Sequence, residues 1–162
     1  MTTKTKAMKI LSNLFKKKES SIEKLKIECL SRIKIIEEYK LLSLQGKYEV
    51  FICCSFLALH SSSFSNDLKI SYVNLVLDSM TDFKIDKSRD EMMSIINSRI
   101  QFYDSEMSLF FKSEGKHILG KIYNIFYEEP LSQHPNFSQN LPEILPFTMS
   151  FMDLMRESKL DV

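Results

Sequence analysis

The scarcity of residues that turn a polypeptide chain is the feature that most constrains this sequence. The 162 residues include three glycines and four prolines, and all four prolines lie between residues 130 and 146. A strand-rich fold needs a turn about every eight to twelve residues, and Gly, Pro or Asn usually marks it. Residues 1–129 contain no proline. The chain is therefore expected to form helices joined by short polar links rather than a sheet.

Size and composition predict one compact domain over residues 1–162. A chain of this length, with 44% hydrophobic residues, is expected to bury about 70% of its unfolded surface. Cys29, Cys53 and Cys54 lie among apolar residues and show no metal-binding spacing, so we expect buried free thiols in a reducing compartment.

The longest apolar run, 50–59, is too short to span a bilayer. No secretory signal pattern is recognised, and the predicted location is cytoplasmic.

Apolar residues recur at spacings of three and four in the first half of the chain, which is typical of amphipathic helices. A basic amphipathic leading helix is predicted within residues 1–19. Ser20 and Glu23 fit a capping box, so a second helix is predicted to start there and to continue to Leu44. The following Gln45-Gly46 is interpreted as a break or a tolerated glycine. Residues 47–60 are apolar on all sides, and we predict a central buried helix there because no second strand is present to pair with them.

The second half of the chain continues the helical pattern. A stripe over 68–83 and a capping box at Ser88 and Glu91 predict two further helices. On the second of them, Arg99 and Tyr103 are expected to join a buried carboxylate network. Two more helices are predicted, separated by a polar, proline-containing loop over 129–141. The predicted fold is an all-α, compact bundle of six or seven helices in a single domain.

Charge is distributed unevenly along the chain. Residues 1–26 carry a net charge of +6 and residues 27–162 a net charge of −5, which together give the overall +1. A basic amphipathic segment over 4–18 suits an anionic membrane surface, and it also suits docking on the acidic remainder of the chain. Nucleic acid is not expected as a partner, because the segment lacks arginine and interleaved aromatic residues. The lysines that would contact an anionic surface are Lys6, Lys9, Lys16, Lys17 and Lys18.

Patterns that carry catalysis or bind metals are incomplete. The sequence has no Gly-x-Ser-x-Gly turn and no glycine-rich phosphate loop. Glu114 and His117 share a helix face, but a di-iron site requires a second such pair. We therefore predict no catalytic residue, no metal and no cofactor. An enzyme that uses His117 with Glu114 or a cysteine is kept as an alternative hypothesis.

Two acidic pairs with neighbouring tyrosines are the candidate partner-binding residues. Aromatic side chains beside carboxylates suit recognition of a basic protein. The first hypothesis is therefore a non-enzymatic protein-binding module, such as a small cytoplasmic immunity or inhibitor protein that occludes a nuclease toxin. The alternative is a peripheral membrane protein held by residues 4–18, and the sequence does not indicate an oligomeric state. The candidate residues are Glu37, Glu38, Tyr39, Tyr127, Glu128 and Glu129.

Overall fold

The chain folds into a bundle of α-helices. The computed structural model describes residues 22–38, 40–61, 66–113, 119–128 and 137–157, which contain six α-helices and no strand. A short 3₁₀-helix, Ser79–Thr81, follows the third α-helix. The all-α prediction is confirmed, with six helices in these ranges. They are α1 (22–37), α2 (Leu44–Ser61), α3 (Asn66–Asp78), α4 (Arg89–Lys112), α5 (Gly120–Tyr127) and α6 (Phe137–Glu157).

α2 is the central helix of the bundle. It contacts α3, α4, α5 and α6, and every residue from Tyr48 to Phe56 is buried. A helix that is apolar on all sides is stable only where neighbouring elements cover all of those sides. The prediction of a central buried helix is confirmed. Its first residue, Leu44, lies three positions before the predicted start.

The predicted second helix is wrong at its C-terminal end. It was expected to continue to Leu44, but α1 ends at residue 37 and residues 40–43 form a link before α2. Ser43 explains the new start, because its hydroxyl accepts a hydrogen bond from the Gly46 backbone N–H at 2.9 Å. A serine in that position satisfies one of the unpaired N–H groups of a helix N-terminus. The local cap therefore overrides the apolar periodicity that runs across the link.

The predicted loop over 129–141 is also too long, because residues 137–141 belong to α6. Residues 129–136 lie outside the described ranges. α6 continues through Pro142 and Pro146, neither of which can donate a backbone hydrogen bond. Its inward residues, Phe147, Phe151 and Leu154, are fully buried. Burial of such a side chain contributes about 1.5–3 kcal/mol, which offsets the missing backbone bonds.

α4 begins with the predicted capping box. The Ser88 hydroxyl accepts a hydrogen bond from the Glu91 N–H at 3.3 Å, and the Glu91 carboxylate accepts one from the Ser88 N–H at 2.8 Å. Hydrogen bonds from the Ser88 side chain and backbone lower the pKa of Glu91. The sequence pattern therefore identifies both residues and their roles correctly.

Ser88→Ala is expected to lower the free energy of unfolding by about 1 kcal/mol, because an N-terminal N–H of α4 loses its partner. Urea denaturation at pH 7 measures this loss. The matched control is Ser105→Ala, at an exposed position inside α4, where alanine should leave stability unchanged or slightly raise it. The difference between wild type and Ser88→Ala should shrink as the pH falls through the lowered pKa of Glu91, since a depressed carboxyl pKa contributes stability only above it. Equal losses in the two variants would contradict the capping role.

Candidate functional site

Three of the four glutamates predicted to bind a partner, Glu37, Glu38 and Glu128, lie at one end of the bundle. The hydroxyl of Tyr127, the last residue of α5, donates a hydrogen bond to the Ile36 carbonyl in α1 at 3.2 Å. The hydroxyl of Ser43, just before α2, donates to the Glu128 carboxylate. The C-terminal ends of α1 and α5 therefore meet beside the start of α2. We call four exposed side chains at this end, those of Glu38, Leu41, Leu44 and Glu128, the cap surface.

The tyrosine of this region has a structural role. Tyr127 is 8% exposed, and its ring packs against those of Tyr123 and Phe147, with centroid distances of 4.6 and 6.0 Å. The Lys40 ammonium lies 5.2 Å from the Tyr127 ring centroid, within the range of a cation–π contact. Little of the Tyr127 ring is thus available to a partner, unlike the expectation from sequence. Tyr39 and Glu129 lie outside the described residues.

Carboxylates give this end of the bundle a modest negative charge. Glu38 and Glu128 are exposed, whereas the half-buried Glu37 pairs with the Lys47 ammonium at 2.9 Å. Glu128 ends α5 in the left-handed conformation, with φ of 54°, which costs free energy for any residue except glycine. The hydrogen bond from Ser43 helps to hold it there. Glu38 and Glu128 are therefore the acidic groups that a partner can reach.

Two exposed leucines, which residue type and apolar periodicity do not single out, complete the cap surface. Leu41 is 82% exposed and Leu44 is 45% exposed, whereas Leu42 between them is buried. Among the side chains whose burial the structure describes, no other large hydrophobic one is as exposed as Leu41. The only sequence signal for this exposure is Ser43. A serine here can mark the start of a helix, which would place Leu41 in a link before that helix. Apolar periodicity alone places these leucines in a continuing helix.

The three cysteines lie in a buried cluster that joins α1, α2 and α3. The Tyr72 hydroxyl donates to the Cys29 sulfur at 3.2 Å and lies 3.2 Å from the Ser55 hydroxyl. Burial raises the pKa of the Cys29 thiol and raises the pKa values of Cys53 and Cys54 further. A thiol with a raised pKa stays protonated at neutral pH and is a weak nucleophile. The prediction of free, buried thiols is confirmed.

Arg99 does pair with a carboxylate, as predicted, and the carboxylate belongs to α2. The Arg99 Nε–H and Nη2–H groups donate to the two carboxylate oxygens of Glu49 at 2.9 and 3.0 Å. Glu49 is 3% exposed, whereas 30% of the Arg99 side chain is exposed. Hydrogen bonding to Glu49 raises the pKa of Arg99. The Tyr103 hydroxyl lies 3.5 Å from the Glu49 carbonyl oxygen, so one residue of α2 links two residues of α4.

Other predicted residues lie outside the described part of the chain. They include Glu114 and His117, and the lysines Lys6, Lys9, Lys16, Lys17 and Lys18. In the described ranges, no three His, Cys, Asp or Glu side chains are grouped so that they could hold a metal ion. None of the helices in these ranges is long and apolar enough to cross a membrane.

Comparison with known proteins adds no assignment, since no family model, curated protein or solved structure matches the chain. A helical bundle is compatible with many unrelated functions. The function must therefore be inferred from the groups that the bundle exposes and from how firmly it holds them.

Proposed function

We propose that the chain is a non-enzymatic protein-binding module whose cap surface docks on a partner with an apolar pocket and a basic rim. The observation that carries this proposal is the 82% exposure of Leu41 in a link that is fixed on both sides. A projecting apolar side chain can be fully desolvated in a partner's pocket, as the central residues of protein interfaces are. It would act as the anchor of the interface.

The link that holds Leu41 is fixed by its neighbours. The Lys40 N–H donates to the Ile36 carbonyl at 3.4 Å, and Leu42 is buried in the core. On the other side, Ser43 caps α2 and donates to Glu128. A binding loop that is already ordered loses less conformational entropy on association, so more of the contact free energy appears as affinity.

The exposed carboxylates near Leu41 favour a basic partner, while the neighbouring Lys40 ammonium is half-buried and lies over the Tyr127 ring. Glu38 and Glu128 are exposed on the same end of the bundle, and the C-terminal dipoles of α1 and α5 add partial negative charge there. Carboxylates at the rim of an interface mainly raise the association rate with a positively charged partner and suppress binding of acidic ones. Glu38 and Glu128 are therefore expected to raise the association rate, whereas Leu41 is expected to lengthen the lifetime of the complex.

A small immunity or inhibitor protein that occludes a basic nuclease toxin is the specific form of this function that we propose. Such a protein acts by covering a surface and needs no catalytic residue. A cytoplasmic location belongs to the same proposal, and the three free cysteines support it because disulfides are rare in reducing compartments.

Leu41→Asp is expected to weaken binding to the partner by about 30-fold, which corresponds to the loss of a central interface residue. The partner is first captured from the native source with the tagged full chain and identified by mass spectrometry. The dissociation constant and rates are then measured with purified proteins by surface plasmon resonance. Glu38→Lys should mainly slow association, and this effect should weaken at high salt.

The matched control is Ile70→Asp, which places the same charge at a 62% exposed apolar position of α3, away from the cap surface. It should leave affinity unchanged, and both Asp variants should unfold at the same urea concentration as wild type. Equal weakening by Leu41→Asp and Ile70→Asp would contradict the assignment of the cap surface. Failure of the chain to capture any stoichiometric protein would contradict the proposed function itself.

A further inference from the structure

A polar cleft lies between α2 and α4, and its lining includes none of the four cap-surface residues. Its volume is about 320 Å³, which is at the lower end of the range of about 300–1,000 Å³ found for small-molecule sites. The buried Glu49 and its half-buried partner Arg99 both line it. The polar residues that line it are Gln45, Glu49, Lys87, Ser94, Ser98 and Arg99.

The guanidinium of Arg99 has an unused edge. Of its five N–H groups, the one on Nε and one on Nη2 bind Glu49, and Nη1 makes no hydrogen bond among the described residues. The planar guanidinium can bind one carboxylate along its side and a second oxyanion at its end. Glu49 fixes the orientation of the group before any ligand arrives, and 30% of the side chain is exposed where it lines the cleft.

Two further donors are not engaged in a hydrogen bond or an ion pair within the described residues. Lys87 forms no ion pair there, and the Ser94 hydroxyl forms no hydrogen bond. The Glu91 carboxylate, which feels the charge of Lys87, is already bound by Ser88. The Ser98 hydroxyl is used by the Ser94 carbonyl at 3.0 Å. Because Arg99 neutralises Glu49, Lys87 leaves the lining with a net charge of +1.

We infer that this cleft binds a small ligand through a phosphate group. The end-on edge of Arg99, the Lys87 ammonium and the Ser94 hydroxyl offer donors of three kinds, which suits an oxyanion with several acceptor oxygens better than a carboxylate with two. The cleft is larger than inorganic phosphate, so a phosphate monoester with a small organic group fits the space. This inference is independent of the protein-binding function.

The test is a titration of the full chain with inorganic phosphate and with glycerol 3-phosphate, at constant ionic strength, followed by ¹H–¹⁵N NMR. Saturable shifts are expected at residues 45–49 and 87–99 and at the Arg99 Nε–H. Lys87→Glu should weaken binding by about ten-fold or more, because a hydrogen bond from a charged donor is lost and the charge is reversed. Ser94→Ala should weaken it by about five-fold.

The matched control is Lys34→Glu, the same charge change at an exposed position of α1, and it should leave the affinity unchanged. Neither cleft variant removes a buried charge, and thermal unfolding of each checks that the bundle persists. If Lys87→Glu and Lys34→Glu weakened ligand binding equally, the binding would reflect general attraction of anions to a positively charged protein. That result would overturn the inference. So would binding of citrate at the same strength as glycerol 3-phosphate, or no saturable shift below about 10 mM ligand, which is weaker than small-molecule sites require.

Discussion

Arg99→Ala is expected to lower the free energy of unfolding by about 3 kcal/mol, the lower end of the cost of removing one partner of a buried ion pair, because Glu49 is buried while Arg99 is 30% exposed. Glu49 is 3% exposed, and both of its carboxylate oxygens accept hydrogen bonds from Arg99. In the variant, the carboxylate stays in the interior without a cation. Gln45 cannot replace Arg99, since its amide is neutral and lies 3.4 Å from Glu49 Oε1. Urea denaturation at pH 7, followed by circular dichroism, measures the loss.

The double variant Glu49→Gln, Arg99→Met should recover most of that stability. Replacing both members of a buried pair by uncharged residues removes the desolvation cost together with the attraction, so the net change is small. The matched surface control is Arg156→Ala, because Arg156 pairs with Asp153 at 2.7 Å while 76% and 50% of their side chains are exposed. That loss should stay below about 1 kcal/mol. If Arg99→Ala and Arg156→Ala lowered the free energy of unfolding by similar amounts, the prediction would be wrong. The burial of Glu49 would then not explain the contribution of Arg99 to stability.

Local features of the sequence predict the helical character of the described residues and some of the helix starts. The apolar run around Val50 cannot be covered by one neighbour, which makes α2 central, and the spacing from Ser88 to Glu91 fixes the start of α4. The end of α1 is not predictable in the same way, because apolar periodicity continues from Ile36 to Leu44. There, Ser43 marks the start of a separate helix, because its hydroxyl accepts from the Gly46 N–H and its carbonyl accepts from the Lys47 N–H.

The candidate sites depend on contacts between distant parts of the chain, which a single sequence does not contain. Arg99 was expected to find a carboxylate, but Glu49 lies fifty positions away. The sequence offers one indication of this pair: a glutamate inside an apolar run, such as Glu49, requires a cation or hydrogen-bond donor as a partner. Aromatic character pointed to Tyr127 as a recognition residue, whereas packing buries it and exposes Leu41 instead. Burial is decided by all six helices together, so residue type alone cannot assign it.

Gly46 shows how tertiary packing reverses a local expectation. It lies in the first turn of α2, where the sequence suggests a break or a tolerated glycine. A Cβ atom at this position would lie 2.1 Å from the Phe126 carbonyl oxygen of α5 and 3.3 Å from Leu42 Cδ2. The Leu42 side chain can move aside, but the carbonyl oxygen belongs to the backbone of a helix. The absence of a side chain is what lets α2 and α5 approach this closely.

Gly46→Ala is therefore expected to lower the free energy of unfolding by about 3 kcal/mol, at the upper end of the usual cost of overpacking. α5 would have to move away from α2, and the fully buried Phe126 would move with it. Helix propensity alone predicts the opposite sign, since alanine is favoured over glycine in a helix by about 1 kcal/mol. Asn97→Ala, at an exposed position of α4, isolates that propensity gain and should raise stability slightly in the same urea titrations. A gain for Gly46→Ala of the size seen for Asn97→Ala would mean that α2 and α5 do not pack at this distance, whereas a loss assigns the glycine to the helix contact.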